Sequence, residues 1–148
     1  MSHALTFRRS LLVLVAALAV AGGALASCQS STAASSSEST VASPPNVIAV
    51  TSTKDFDARV AAAKGKVLVD CFATWCGPCK ALSPEIDAVA AKRPGLTVLR
   101  VDVDVQTELA ERYKAEMIPL LVIIKDGKIQ DEQAGYQDRK ALETFIGG

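Results

Sequence analysis

The sequence predicts an α/β domain over residues 46–148, built as a central mixed β-sheet flanked by helices on both faces. Two observations carry this expectation. Apolar runs of strand length alternate with stretches of helical period, in the order β α β α β α β β α. Helices between successive strands imply crossovers and a parallel part, whereas Asp126-Gly127 near the end signals a hairpin and so an antiparallel part.

Val47–Val50 is a short apolar run that suits a first strand. Thr53 can cap a helix running to Ala63, with Phe56 and Val60 four apart on one face, and Gly65 is placed to end it. Lys66–Phe72 is continuously apolar except for Asp70, as in a strand buried on both faces. Cys76–Arg93 reads as a helix with Leu82, Ile86 and Val89 inside, Pro84 as a kink and Pro94-Gly95 as its stop. Leu96–Val103 is a further buried strand, Thr107–Tyr113 a short helix, and Leu120–Ile124 another strong strand. Lys128–Ala134 returns from the hairpin, and Gln137–Ile146 is an amphipathic helix with Leu142, Phe145 and Ile146 on its apolar side.

Ahead of this domain the chain changes character. Arg8 and Arg9 precede a uniformly apolar run, Leu11–Ala21, which is short for a membrane span and fits a cleavable signal. Leu25-Ala26-Ser27-Cys28 then resembles the lipobox of bacterial lipoproteins, which implies a signal peptide over 1–27 and a lipidated N-terminal Cys28. More than one acyl chain is what gives stable anchoring. The following stretch to Pro45 is rich in Ser, Thr and Ala and has no apolar period, so 28–45 reads as the lipidated cysteine and a flexible tether reaching about 20–25 Å. The expected location is a membrane-anchored lipoprotein facing the periplasm or cell exterior.

Composition excludes several functions. The 148 residues balance 16 Lys and Arg against 16 Asp and Glu; without Arg8 and Arg9 the balance becomes −2, with no basic stripe to hold nucleic acid. The single histidine, His3, lies in the signal, so neither a Cys–His nucleophile nor a Cys2His2 zinc site can form in the domain. Lys80 after Cys79 excludes the haem-attachment pattern. Asp102-x-Asp104-x-Gln106 lacks the glycine and final glutamate of a calcium loop and reads as solvated acids at a strand end. No cofactor or metal is expected, and the domain is expected to be a monomer.

The chemistry concentrates in Trp75-Cys76-Gly77-Pro78-Cys79, between a buried strand and a helix start. Disulfide exchange needs a thiolate, and a helix N-terminus offers free N–H groups and the positive end of the dipole to stabilise one. That makes Cys76 the attacking sulfur and Cys79, one turn further in and better shielded, the resolving one. Cys71, inside the buried strand, reads as a small apolar core residue. Asp70 is an acid in an apolar strand, where burial disfavours its charge and raises its pKa.

This motif in this context resembles the thioredoxin family, together with Val69-Asp70, Lys80, Pro84, Ile118-Pro119, Gly127 and Gly135, over about the last hundred residues. The resemblance implies a thioredoxin fold and a thiol–disulfide oxidoreductase with Cys76 and Cys79 as its redox-active disulfide. It also implies a proton-exchanging role for Asp70 towards the inner cysteine and a cis Pro119 beside the pair. Substrate docking falls to Trp75, Gly77, Pro78, Ile118 and Pro119, although Trp75 could equally be a core residue. Arg100 matches a basic position near the buried aspartate, with a surface strand-end charge as the alternative. Leu120 and Phe72 stand where the commonest members carry threonine and a second tryptophan.

Gly77-Pro78 between the cysteines points to a reductase of protein disulfides, fed by a membrane thiol electron donor. A thiol oxidant or a cytochrome c maturation-type thioredoxin is the alternative, and a non-catalytic thioredoxin-fold adaptor a further one.

Overall fold

The computed structural model of the chain describes residues 43–147. The signal peptide, Cys28 and all but the end of the tether lie outside the described residues. The elements follow the predicted order: β1 (Val47–Ala49), α1 (Thr53–Ala62), β2 (Val67–Phe72), α2 (Gly77–Ala91), β3 (Thr97–Asp102), α3 (Thr107–Arg112), β4 (Leu120–Lys125), β5 (Lys128–Ala134) and α4 (Arg139–Gly147).

The sheet has five strands in the order β1-β3-β2-β4-β5. β1 and β2 run parallel to β3, β4 runs antiparallel to β2, and β5 returns antiparallel to β4. β2 is therefore central. Its alternate side chains feed two cores. Val67, Val69 and Cys71 face the layer of α1 and α3, where Phe56, Leu109 and Tyr113 pack. Leu68 faces α2 and α4, meeting Leu82, Ile86, Val89, Leu142 and Ile146. Burial on both sides is why β2, apart from Asp70, and β4 read as continuous apolar runs. β5, by contrast, is exposed along its length and polar, which suits an edge strand. At its hairpin Asp126 (φ 53°) and Gly127 (φ 72°) both take the left-handed conformation that a two-residue turn between twisted strands requires.

Three details correct the sequence reading. Ser52, not Thr53, caps α1: its backbone is extended and its Oγ accepts the Asp55 N–H at 3.1 Å. Thr53 instead donates to Glu108 Oε2 at 2.6 Å, tying α1 to α3. α1 ends at Ala62, before Gly65, and Gly65 is required for a different reason: a Cβ there would run into the carbonyl oxygen of Gly95. α4 starts at Arg139 because Asp138 Oδ1 accepts the Ala141 N–H at 2.8 Å, so Gln137 is left outside the helix and buried. α2 runs through Pro84 as one helix.

Asn46 locks the end of α2 to β1. Its Nδ2 donates to the carbonyls of Ala90, Arg93 and Leu96 at 3.0, 3.2 and 2.8 Å, so one side chain ties a helix end and the turn into β3 together, adding to the backbone N–H groups that Ala90 and Arg93 already accept. Asn46→Ala leaves these acceptors without that donor. It is expected to lower unfolding free energy by about 1–3 kcal/mol, read as a lower urea midpoint at unchanged slope.

Candidate active site

β2 ends at Phe72, and the chain turns through Ala73–Trp75 directly into α2. Cys76 is the N-cap residue of α2, with extended backbone, and its Sγ accepts the Cys79 N–H at 3.2 Å. Pro78 stands in the first turn, where its missing N–H leaves no helix bond unmade. Cys76 and Cys79 form a disulfide with an S–S distance of 2.06 Å and a Cα–Cα distance of 5.3 Å. The pair packs with Ala73, Phe72, Val103 and Ile118. Greater shielding of Cys79 is not found in this state: Cys76 is 4% exposed and Cys79 3%. What separates the two sulfurs is the cap, because the helix N–H points at Cys76.

The Ile118–Pro119 peptide is cis. Ile118 reaches the cysteine cluster, and the Pro119 carbonyl accepts the Gly135 N–H at 2.8 Å, joining the start of β4 to the end of β5. Trp75 is a surface residue, 69% exposed, and its Nε1–H donates to Asp104 Oδ2 at 2.8 Å. Asp104 is in turn held by its own N–H, which donates to Asp102 Oδ1 at 3.0 Å. The acids at the end of β3 are thus not merely solvated; one of them orients an indole. Val105 and Met117 are also largely exposed, next in sequence to Asp104 and Ile118. Sequence reasoning did not single out either residue, since nothing local marks an apolar residue as surface.

Asp70 lies on β2, 2% exposed, opposite Arg100 of β3 in the parallel register. Arg100 Nε donates to Asp70 Oδ2 at 3.1 Å. Burial nevertheless pushes the Asp70 carboxyl up to about 6: desolvation outweighs the attraction and hydrogen bond of Arg100, and Asp87 adds a repulsive contribution. Arg100 is the basic partner that the resemblance implies, not an isolated surface charge. Its guanidinium also lies 4.9 Å from the centroid of Phe72, the residue that replaces the commoner tryptophan, and its Nη2 donates to Ser83 Oγ. Ser83 went unnoticed in the sequence; the signal available was a hydroxyl four residues after Cys79, whose carbonyl it meets at 3.1 Å. Cys71 is a free, fully buried thiol pushed up to about 12 by burial, then by the charges of Asp70 and Glu132, which leaves it inert core.

A Cys-x-x-Cys disulfide at a strand–helix junction, on a mixed sheet with a cis proline beside it, defines a disulfide oxidoreductase. The thioredoxin family model matches residues 47–147. Thioredoxin of Chlamydia trachomatis is 42% identical over 100 residues, covering 68% of this chain and 96% of that protein. An H-type thioredoxin of Oryza sativa subsp. indica is 44% identical over 103 residues, covering 68% of this chain and 84% of its own. Among solved structures, Fasciola hepatica thioredoxin superposes with a TM-score of 0.64 at 34% identity, over 67% of this chain and 95% of that one. The chain belongs to the thioredoxin family, and it is a disulfide oxidoreductase with Cys76 and Cys79 as its pair.

The folded Asp70 carboxyl binds its proton more tightly than an unfolded aspartate, which titrates near about 3.9. Its contribution to stability is therefore greatest below about pH 4, falls as pH rises towards 6, and stays low above. Asp70→Asn is expected to flatten that fall and to raise the stability of the oxidised protein at pH 7 by up to about 3 kcal/mol. Denaturant midpoints from pH 4 to 8 would read this, and parallel wild-type and variant curves would refute it.

Proposed function

We propose that this protein is a reductase of protein disulfides working outside the cytoplasm, with Cys76 as nucleophile and Cys79 as resolving thiol. The observation that carries the division of labour is the cap: the Cys79 N–H at the α2 N-terminus points at Cys76 Sγ. In the dithiol state the same donor and the helix dipole favour a thiolate on Cys76. That thiolate attacks one sulfur of a substrate disulfide, and the other sulfur leaves with the electron pair. Asp70 then accepts the proton of Cys79, whose thiolate attacks Cys76 Sγ; the Cys76–Cys79 bond forms and the second substrate sulfur departs as a thiolate that takes up a proton. Two electrons have moved from the protein dithiol to the substrate.

Docking of the substrate chain falls to Trp75, Gly77, Pro78, Ile118 and Pro119. In support, Trp75 is exposed and held by Asp104, and Ile118 packs on the cysteine cluster. The rigid aromatic and apolar rim suits a protein surface more than a small molecule.

The location rests on the sequence: the charged and apolar signal pattern followed by Leu25-Ala26-Ser27-Cys28 reads as a lipoprotein, anchored through Cys28 and facing the periplasm or cell exterior. A reductase there requires re-reduction by a membrane thiol donor. Cys28→Ser is expected to shift the protein from the membrane pellet to the soluble fraction while its disulfide exchange in solution is retained; retention in the pellet would remove the anchor.

Equilibration of the Cys76–Cys79 couple of the full chain against glutathione or dithiothreitol tests the direction of flow. A potential near about −270 mV is expected, as for thioredoxin-type reductants. A value near about −120 mV would make the protein an oxidant. The absence of a reversible two-electron couple would make it an adaptor.

A further inference from the structure

The Asp70 carboxyl has two oxygens and one partner. Oδ2 accepts from Arg100 Nε at 3.1 Å, while Oδ1 is buried and has no hydrogen bond among the described residues. A guanidinium carries two parallel N–H groups along its Nε–Nη2 edge, and this edge can grip both oxygens of one carboxylate. Here the edge is split between two residues. Nη2 donates to Ser83 Oγ, and the Ser83 hydroxyl donates to the carbonyl of Cys79 at 3.1 Å. The Phe72 ring under the guanidinium, 4.9 Å away, adds a third contact that holds its plane.

Few charged groups act on Asp70 from the surrounding elements. Arg100 of β3 is the cation and Asp87 of α2 the repelling anion. Cys71, its neighbour on β2, is a thiol that responds to Asp70 and to Glu132 of β5. The β4 residue opposite Asp70 is the apolar Leu121. The hold that Arg100 has on the carboxyl is therefore the adjustable element, and Ser83 competes for half of it.

We propose that Ser83 is a positioning residue for the resolving step: by taking the Nη2 arm of Arg100 it limits the guanidinium to a single contact with Asp70 and keeps Oδ1 free to receive the Cys79 proton. This rests on the reading of Asp70 as proton acceptor. In that step the Cys79 S–H proton passes to Asp70, the Cys79–Cys76 bond forms, and the Cys76–substrate bond breaks with its electron pair on the substrate sulfur. A guanidinium closed on both oxygens would hold the carboxylate ionised and make it a poorer base. The split edge keeps the positive charge near the carboxyl without filling both proton sites.

The test uses the full chain in three forms: wild type, Ser83→Ala, and Ser83→Thr, which retains the hydroxyl. Carboxyl-carbon NMR of Asp70 is followed against pH in the oxidised state, and stopped-flow resolution of a mixed disulfide on Cys76 is followed over the same range. In Ser83→Ala the freed Nη2 closes on Oδ1, so the Asp70 midpoint falls by about one pH unit, whereas Ser83→Thr stays with wild type. The half-rate pH of resolution moves down with the midpoint. An unchanged or raised midpoint in Ser83→Ala overturns the proposal, as does an equal fall in Ser83→Thr. A lowered midpoint with an unmoved rate profile supports the split edge and overturns Asp70 as the acceptor.

Discussion

The bond between the Cys79 N–H and Cys76 Sγ is the interaction around which the molecule is arranged. It exists only because a buried strand stops at Phe72 and a helix begins at Gly77, leaving Cys76 as the cap between them. An oxygen-bearing side chain usually holds a helix N-cap. Placing sulfur there directs a helix donor at Cys76 Sγ, the atom proposed above to carry the negative charge. The rest of the sheet supports that junction: β2 is central, so its end is held by β3 on one side and β4 on the other. The same arrangement brings Ile118, just ahead of β4, onto the cysteine cluster.

A second constraint is a buried charge. Asp70 occupies a position that packing alone would give to an apolar residue, and desolvation raises its pKa despite the salt bridge to Arg100. One partner for two oxygens is an incomplete solution by stability criteria, because a buried acceptor without a donor costs about 1–3 kcal/mol. The proton exchange proposed for Asp70 accounts for that cost. Arg100 reaches it from the adjacent strand because parallel pairing of β2 with β3 sets Asp70 opposite Arg100 on the same face.

Much of the fold was legible along the chain. Buried strands show as apolar runs broken at most by a single charge, the Asp126-Gly127 hairpin by its turn residues, and α2 by its helical period between Cys76 and Pro94. Sequence and structure differ at element ends, where neighbouring residues compete for one cap: Ser52 over Thr53 for α1, and Asp138, one residue after the expected start at Gln137, for α4. Gly65 has the sequence pattern of a helix stop, but its lack of a side chain answers a contact with Gly95, thirty residues away. Local pattern has no access to such a contact.

The sequence by itself determined the order of elements, the redox pair and its strand–helix setting, and the buried position of Asp70 and Cys71. These follow from hydrophobic period, turn chemistry and the spacing of the motif, all properties of neighbours in the chain. Only the tertiary structure decided that Trp75 faces solvent on an Asp104 hydrogen bond, that Arg100 shares its guanidinium between Asp70 and Ser83, and that helix direction rather than burial separates the two cysteines. Each is a matter of which way a side chain points once distant segments meet, and that is set by strand order and register in the folded sheet.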